Sequence, residues 1–163
     1  MLEQRPYSPN ELLAWCRLLT LSLAGSALSY VKERDGTVDG LIDWWSERMA
    51  GFSMGVPGGG VESPLLGLLL NVQAIGGEIT SRSVNPEGAE VVVTSLPGEH
   101  VPEELDYRFE VALSEEDLLS VIGVTREELN RLLDVFGNAA AGTGFEYARS
   151  SEGDAEHLTI RVW

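Results

Sequence analysis

Apolar residues recur at helical spacing through the first half of the chain and at alternate positions through much of the second half. The helical spacing covers three stretches, at about residues 8–34, 37–52 and 63–77. Each stretch begins with Ser or Thr, which cap helix N-termini, and the first and third have Pro at the next position. The first and third also end at Gly, which favours helix termination. The pattern therefore predicts three N-terminal helices.

The first predicted helix is apolar on nearly every side. Small residues recur along it at spacings of three and four, namely Ser22, Gly25, Ser26 and Ser29. Such a stripe allows another helix to approach closely. Because a helix that is apolar all round is typical of a protein interior, we expect a buried central helix rather than a surface helix.

After residue 77 the apolar period changes to two, which is typical of β-strands. Segments 78–84 and 89–95 flank an Asn-Pro-Glu-Gly turn and predict a hairpin, and 106–113 predicts a third strand. Two shorter helices are expected to start at Ser114 and Thr125. Segments 144–150 and 156–163 then predict a last hairpin around a Gly-Asp turn.

Helices and strands thus come in blocks, which predicts an α+β fold with the order ααα-ββ(β)-αα-ββ. We expect the N-terminal helices to pack on one face of an antiparallel sheet. With 163 residues, the chain is predicted to be one domain, 1–163, with a helical part at about 8–76 and a sheet-forming part at about 77–163.

The composition is strongly acidic, with a formal net charge of −15 at pH 7. Nucleic-acid binding depends on Lys and Arg that neutralise phosphates, and the sequence has no basic stripe. An anionic membrane surface is disfavoured for the same reason, and no apolar run is long enough to span a bilayer. The single cysteine, Cys16, excludes an intrachain disulfide and fits a reducing compartment, so a cytoplasmic location is expected.

Two segments resemble a known family. Residues 65–95 (LLGLLLNVQAIGGEITSRSVNPEGAEVVVTS) and 127–162 (EELNRLLDVFGNAAAGTGFEYARSSEGDAEHLTIRV) resemble the two units of the 4-vinyl reductase-type small-molecule-binding domains. The resemblance implies a fold shared with trafficking-complex subunits and with regulators that sense apolar ligands. It also implies binding rather than catalysis, and association as dimers.

The chain departs from this family at two positions. Where the family commonly has a cysteine before the Gly-Asp turn and another after it, this chain has Arg149 and His157. A thiolate metal site is therefore not expected. Segment 96–124 is also longer than the family pattern, either as an insertion or as an integral part of the sheet.

Residues that suit catalysis do not form a convincing set. Asp154, Glu156 and His157 are close in sequence, but neighbouring strand residues point to opposite faces and would not converge on a metal. Asp39 and Asp43 share one helix face, which is typical of a solvated surface. No nucleophile elbow or phosphate-binding loop is present. We therefore predict no catalytic residues and no metal site, and the sequence names no cofactor.

The aromatic residues are more informative, because they concentrate in the first two helices. Trp44 and Trp45 are adjacent, about 100° apart around a helix, so one of them should face a pocket edge, a partner or solvent. Arg48 follows Trp44 by one turn and could bind a ligand carboxylate. The predicted ligand-binding residues are Trp15, Trp44, Trp45, Arg48, Met49 and Phe52.

The sequence therefore predicts a non-catalytic, sensor-like domain that binds a small apolar or amphipathic ligand and forms a homo-oligomer. One alternative is a protein-interaction or scaffold subunit without a ligand, which predicts an exposed apolar patch containing Trp44 or Trp45. The other alternative is a small hydrolase-type enzyme, which predicts His157 or His100 in a cavity beside a nucleophile or a carboxylate.

Overall fold

The computed structural model describes residues 8–50, 60–94, 96, 115–141 and 144–163. The elements of the N-terminal half are α1 (Pro9–Asp35), α2 (Asp39–Met49), α3 (Glu62–Ala74), β1 (Ile79–Asn85) and β2 (Gly88–Thr94). Those of the C-terminal half are α4 (Glu115–Ile122), α5 (Arg126–Ala141), β3 (Phe145–Glu152) and β4 (Ala155–Val162). The predicted strand at 106–113 and Phe52 lie outside the described residues.

The four described strands form one antiparallel sheet in the order β1-β2-β4-β3. The two predicted hairpins are thus placed side by side, with β2 and β4 in the middle. This arrangement confirms the α+β class and the predicted order of helices and strands. Asn85 stabilises the first turn, because its Oδ1 accepts hydrogen bonds from the backbone N–H groups of Glu87 and Gly88.

One face of the sheet carries the core. On the central strands Val91 lies opposite Leu158, and Ala89 lies opposite Ile160, all of them buried. Helix α5 covers this face, packing on β3 and β4 with Leu129 completely buried. Helices α2 and α3 pack against α5, and α3 also contacts β1. The central helix of the domain is therefore α5.

Helix α5 begins with a reciprocal capping box. The backbone N–H of Thr125 donates to Glu128 Oε2 at 2.8 Å, and the N–H of Glu128 donates to Thr125 Oγ1 at 3.2 Å. The ammonium group of Lys32 on α1 donates to the same Glu128 oxygen at 2.8 Å. Burial alone would raise the pKa of Glu128, but the hydrogen bonds from Lys32 and Thr125 lower it below its ordinary value. The start of α5 is thereby tied to the end of α1.

Helix α1 joins the rest of the domain along one side. Leu21 and Leu28 are buried there, and the backbone at Gly25 meets α4 closely. A Cβ atom at Gly25 would lie 2.5 Å from Ile122 Cγ2, so only glycine permits this approach. The predicted close packing along the small-residue stripe is confirmed at this position.

The prediction that α1 is a buried central helix is wrong. Leu19, Leu23 and Tyr30 face away from the domain and are more than half exposed. A helix that its own chain surrounds and a helix with one apolar side exposed to solvent can have the same apolar sequence pattern. Here α5 occupies the centre, and α1 lies at the periphery.

Candidate interaction surface

The exposed side of α1 has the spacing of a coiled-coil seam. Its members alternate between steps of three and four residues, and we call them the α1 seam: Leu12, Cys16, Leu19, Leu23, Ser26 and Tyr30. All six are exposed, including Leu23 at 65% and Tyr30 at 64%. This spacing averages 3.5 residues and keeps one side of a helix facing a partner helix along its length.

The α1 seam lies on the opposite side of the helix from the buried Leu21 and Leu28. Both of these residues occupy the position of the seven-residue repeat that faces away from the seam. The positions that flank the seam are small or apolar and include Thr20, Ser22 and Ala27. Helix α1 therefore has two apolar sides, of which the domain covers one.

Most of helix α1 has no charged residues. Residues 12–32 contain no Asp or Glu, and residues 18–31 contain no charged residue, although 26 acidic residues occur in the whole chain. At the C-terminal end of the seam the Arg34 guanidinium lies 6.0 Å from the centre of the Tyr30 ring. Arg34 also donates two hydrogen bonds to Asp35, which lower the pKa of that carboxyl group.

The predicted ligand-binding residues on α2 divide between its two sides. The Trp44 ring is 51% exposed and lies under the Arg48 guanidinium, 5.4 Å from the ring centre. Trp45 and Met49 instead pack, partly buried, against the core. The two adjacent tryptophans thus diverge as expected, and the structure brings Trp44 and Arg48 together.

Trp15 lies on a different helix, α1, and is half-buried. Within the described residues α1 packs mainly on α4 and α5, whereas α2 packs mainly on α5. The structure therefore groups the predicted residues as an exposed Trp44–Arg48 pair, a core-facing pair of Trp45 and Met49, and a separate Trp15.

A buried polar network that we did not predict lies between α5 and the sheet. Glu156 on β4 is 1% exposed, and Asn130 on α5 is 2% exposed. Glu156 Oε1 accepts a hydrogen bond from Asn130 Nδ2 at 2.8 Å, and Oε2 accepts from Arg149 Nη1 at 2.7 Å and from Ser151 Oγ at 2.9 Å. The amide oxygen of Asn130 accepts from the backbone N–H of Leu96 at 2.7 Å. The network thus joins α5, β3, β4 and the chain beyond β2.

Arg149 is the centre of this network. Its guanidinium also donates to Asp134 at 2.9 Å and to Glu127 at 2.7 Å, so it contacts three carboxylates. Burial opposes the charge, but the hydrogen bonds from Arg149 to Glu127 and Glu156 and the Asp134 charge raise the pKa of Arg149. Burial and the neighbouring Asp134 carboxylate also raise the pKa of Tyr147. A permanently charged Arg and an un-ionised Tyr suit a structural role rather than proton transfer.

His157 lies on the other face of the sheet from Glu156, as the strand period predicts. Its Nδ1 is 3.5 Å from Glu90 Oε1, and its Nε2 is 3.6 Å from Glu152 Oε2. Across the ranges that the structure describes, no group of three or more His, Cys, Asp or Glu side chains could hold a metal ion. Nor is any helix within those ranges long and apolar enough to cross a membrane.

Comparisons of the whole chain gave no match to any protein-family model and no significant match to any curated protein. The likeness to 4-vinyl reductase-type domains therefore stays a prediction. The α1 seam departs from an ordinary solvated helix, because its exposed side is mostly apolar.

Proposed function

We propose that this protein is a non-catalytic interaction module that self-associates, with a second copy of the chain covering the α1 seam. The observation that carries the proposal is the row of exposed leucines and Tyr30 at heptad spacing. A row of this kind on a water-facing helix is typical of protein interaction sites rather than of scattered surface residues. This function corresponds to the scaffold alternative, with α1 rather than Trp44 as the main patch.

The charge distribution supports a second copy as the partner. A chain with net charge −15 repels other copies of itself, so contact between copies costs least where acidic residues are absent. The α1 seam is such a place, since residues 12–32 carry no carboxylate. Between residues 12 and 30 the seam and its flanking positions are uncharged, so this stretch matches itself and offers no charged group for an oppositely charged partner.

The exposed area is large enough for reversible pairing. Burial of one fully exposed leucine stabilises by roughly 1.5–3 kcal/mol, and the seam leucines are about half exposed. Four large side chains on each of two copies would then contribute on the order of 10 kcal/mol. Association costs about 4–15 kcal/mol in lost freedom of motion. We therefore expect an equilibrium between single and paired chains that depends on concentration.

Salt should strengthen this pairing. Each copy has a net charge of −15, so the two copies repel each other across the pair. At 0.1 M salt, repulsion between exposed charges more than about 10 Å apart is largely screened. Because the proposed interface contains no ion pair, we expect its dissociation constant to fall by roughly tenfold between 0.05 and 0.5 M NaCl. Sedimentation velocity over a dilution series at the two salt concentrations measures this change.

An interface held by salt bridges would weaken as salt rises, which would contradict the proposed apolar contact. Sodium chloride is the appropriate salt, because sulfate strengthens apolar burial in general and would raise association for another reason. A single species with the mass of one chain at all concentrations and both salt levels would contradict self-association itself.

The small-ligand function predicted from the sequence is a second candidate. It is favoured by the Trp44–Arg48 pair, in which a half-exposed aromatic ring lies beside a guanidinium. An apolar tail could pack on the ring while a carboxylate pairs with Arg48, as an amphipathic ligand requires. This pair would then bind the ligand on α2, and α1 would remain free for self-association.

A fatty-acid titration followed by tryptophan fluorescence tests this candidate. We expect a saturable change of emission in the unmodified chain that is lost in Trp44→Phe and kept in Trp163→Phe, since Trp163 is an exposed C-terminal control. An equal change in both variants, or none in the unmodified chain, would rule out a ligand site at Trp44.

A further inference from the structure

We propose that the two α1 helices pair in antiparallel orientation, about a two-fold axis that passes the helices at the level of Leu21. This inference rests on the proposed self-association and specifies how the second copy lies on the α1 seam. In this orientation, position i of one helix faces the position whose number is 42 − i on the other. The seam is symmetric about that centre, so the six seam positions all find seam partners.

The resulting layers match in size. At the centre Leu19 packs on the partner's Leu23, and at the ends Leu12 packs on the partner's Tyr30. Between them the two small residues meet, Cys16 facing the partner's Ser26. Each layer occurs twice, as a two-fold interface requires, and large residues alternate with a small layer on each side of the centre. The small Cys–Ser layers let the helix axes approach without a cavity from mismatched side chains.

The attachment of α1 to its own domain favours this orientation over a parallel one. Leu21 and Leu28 are buried against the domain and Lys32 pairs with Glu128, and all three lie in the C-terminal two-thirds of the helix. A parallel pair would hold two domains of net charge −15 beside each other at one end. An antiparallel pair places them toward opposite ends of a helix about 40 Å long, which lowers the repulsion.

The helix dipoles also favour the antiparallel orientation. In a parallel pair the two negative C-terminal ends adjoin each other, as do the two positive N-terminal ends. In the antiparallel pair each C-terminal end, near Arg34 and Asp35, lies beside the partner's N-terminal end. In the pair, the side of each α1 that carries its domain faces away from the partner helix.

Disulfide trapping distinguishes the orientations. Cys16 of each copy would lie roughly 15 Å from the partner's Cys16 along the axis of an antiparallel pair, too far for a disulfide. Ser26→Cys places a second thiol directly opposite Cys16 of the other copy. Under mild oxidation we expect the Ser26→Cys chain to shift to twice its mass of 17.7 kDa on a non-reducing gel. The unmodified chain and the Cys16→Ser/Ser26→Cys chain should stay uncrosslinked.

Each of the other possible results would overturn either the antiparallel orientation or self-association itself. Crosslinking of the unmodified chain and of Cys16→Ser/Ser26→Cys would show parallel pairing and overturn the antiparallel inference. A dimer by native mass spectrometry without a crosslink in any variant would show that another surface pairs, and this too would overturn it. A single-chain mass at every concentration would overturn the self-association proposed above as well. Reversal of the crosslink by reductant controls for aggregation.

Discussion

Replacing Leu19 and Leu23 by aspartate is expected to weaken self-association by at least about a hundredfold and to leave the fold intact. Both side chains are more than half exposed in the single chain, so the exchange costs the folded domain little. In the pair they form the central layers, where the exchange removes four leucines and buries four carboxylates without counter-ions. Loss of the leucines alone amounts to several kcal/mol, and 1.4 kcal/mol corresponds to a tenfold change in affinity.

The matched control is Leu66→Asp/Leu70→Asp on α3. These leucines have the same spacing of four, and each is 59% exposed, close to the 58% and 65% of the test pair. The two double variants therefore carry the same change in charge, helix propensity and exposed apolar area. Sedimentation velocity measures the dissociation constants, and circular dichroism checks the fold. Equal weakening in both variants would show that added negative charge, rather than loss of the α1 seam, disrupts the pair.

Replacing Arg149 by methionine is expected to lower the free energy of unfolding by about 3–5 kcal/mol. The exchange keeps most of the side-chain volume but removes the positive charge shared by Glu127, Asp134 and Glu156. Glu156 is almost fully buried, and the exchange removes the ion pair that Arg149 makes with its Oε2 atom. A buried carboxylate that loses its counter-charge is far more costly than a lost surface ion pair. Urea unfolding of the two proteins at neutral pH measures the difference.

Arg126→Met provides the control for this substitution. Arg126 pairs with Asp154 at 2.6 Å, but the Asp154 side chain is 88% exposed, so solvent screens the interaction. Loss of such a pair typically costs no more than about 1 kcal/mol. If Arg149→Met were no more destabilising than Arg126→Met, the network around Glu156 would not hold α5 on the sheet as we infer.

Local signals in the sequence predicted most of the described fold. The helix start at Thr125 was predicted from the sequence, and Thr125 and Glu128 form both hydrogen bonds of a capping box there. Both hairpins were predicted from alternation around turn residues, and the inward direction of Leu158 and Ile160 agrees with that alternation. These features depend on residues close together in the chain, so periodicity and turn chemistry are sufficient to find them.

Features that depend on distant residues were missed. Arg149 and Glu127 are 22 residues apart, and Asn130 meets Glu156 across 26 residues, so no spacing rule indicates the network. A signal did exist, because Glu156 shares the period of the inward-facing Leu158 and Ile160. A carboxylate on that face requires a buried partner, and an arginine on the neighbouring strand is the expected one.

The position of α1 could not be predicted for a different reason. Its seam residues have the 3.5-residue spacing of a pairing surface, and Leu21 and Leu28 provide a second apolar side. Periodicity shows that both sides are apolar but not which of them packs on the rest of the chain. The choice of α5 as the central helix follows from its packing between the sheet and two other helices, which only the tertiary structure reveals.

The molecular mass of the unmodified protein over a hundredfold range of concentration tests the central claim most directly. If a second copy covers the α1 seam, the weight-average mass should rise from 17.7 kDa toward twice that value as concentration increases through the micromolar range. In about 0.5 M NaCl this rise in mass should occur at a lower protein concentration than in about 0.05 M NaCl. A mass of 17.7 kDa that does not change with concentration or salt would contradict the account.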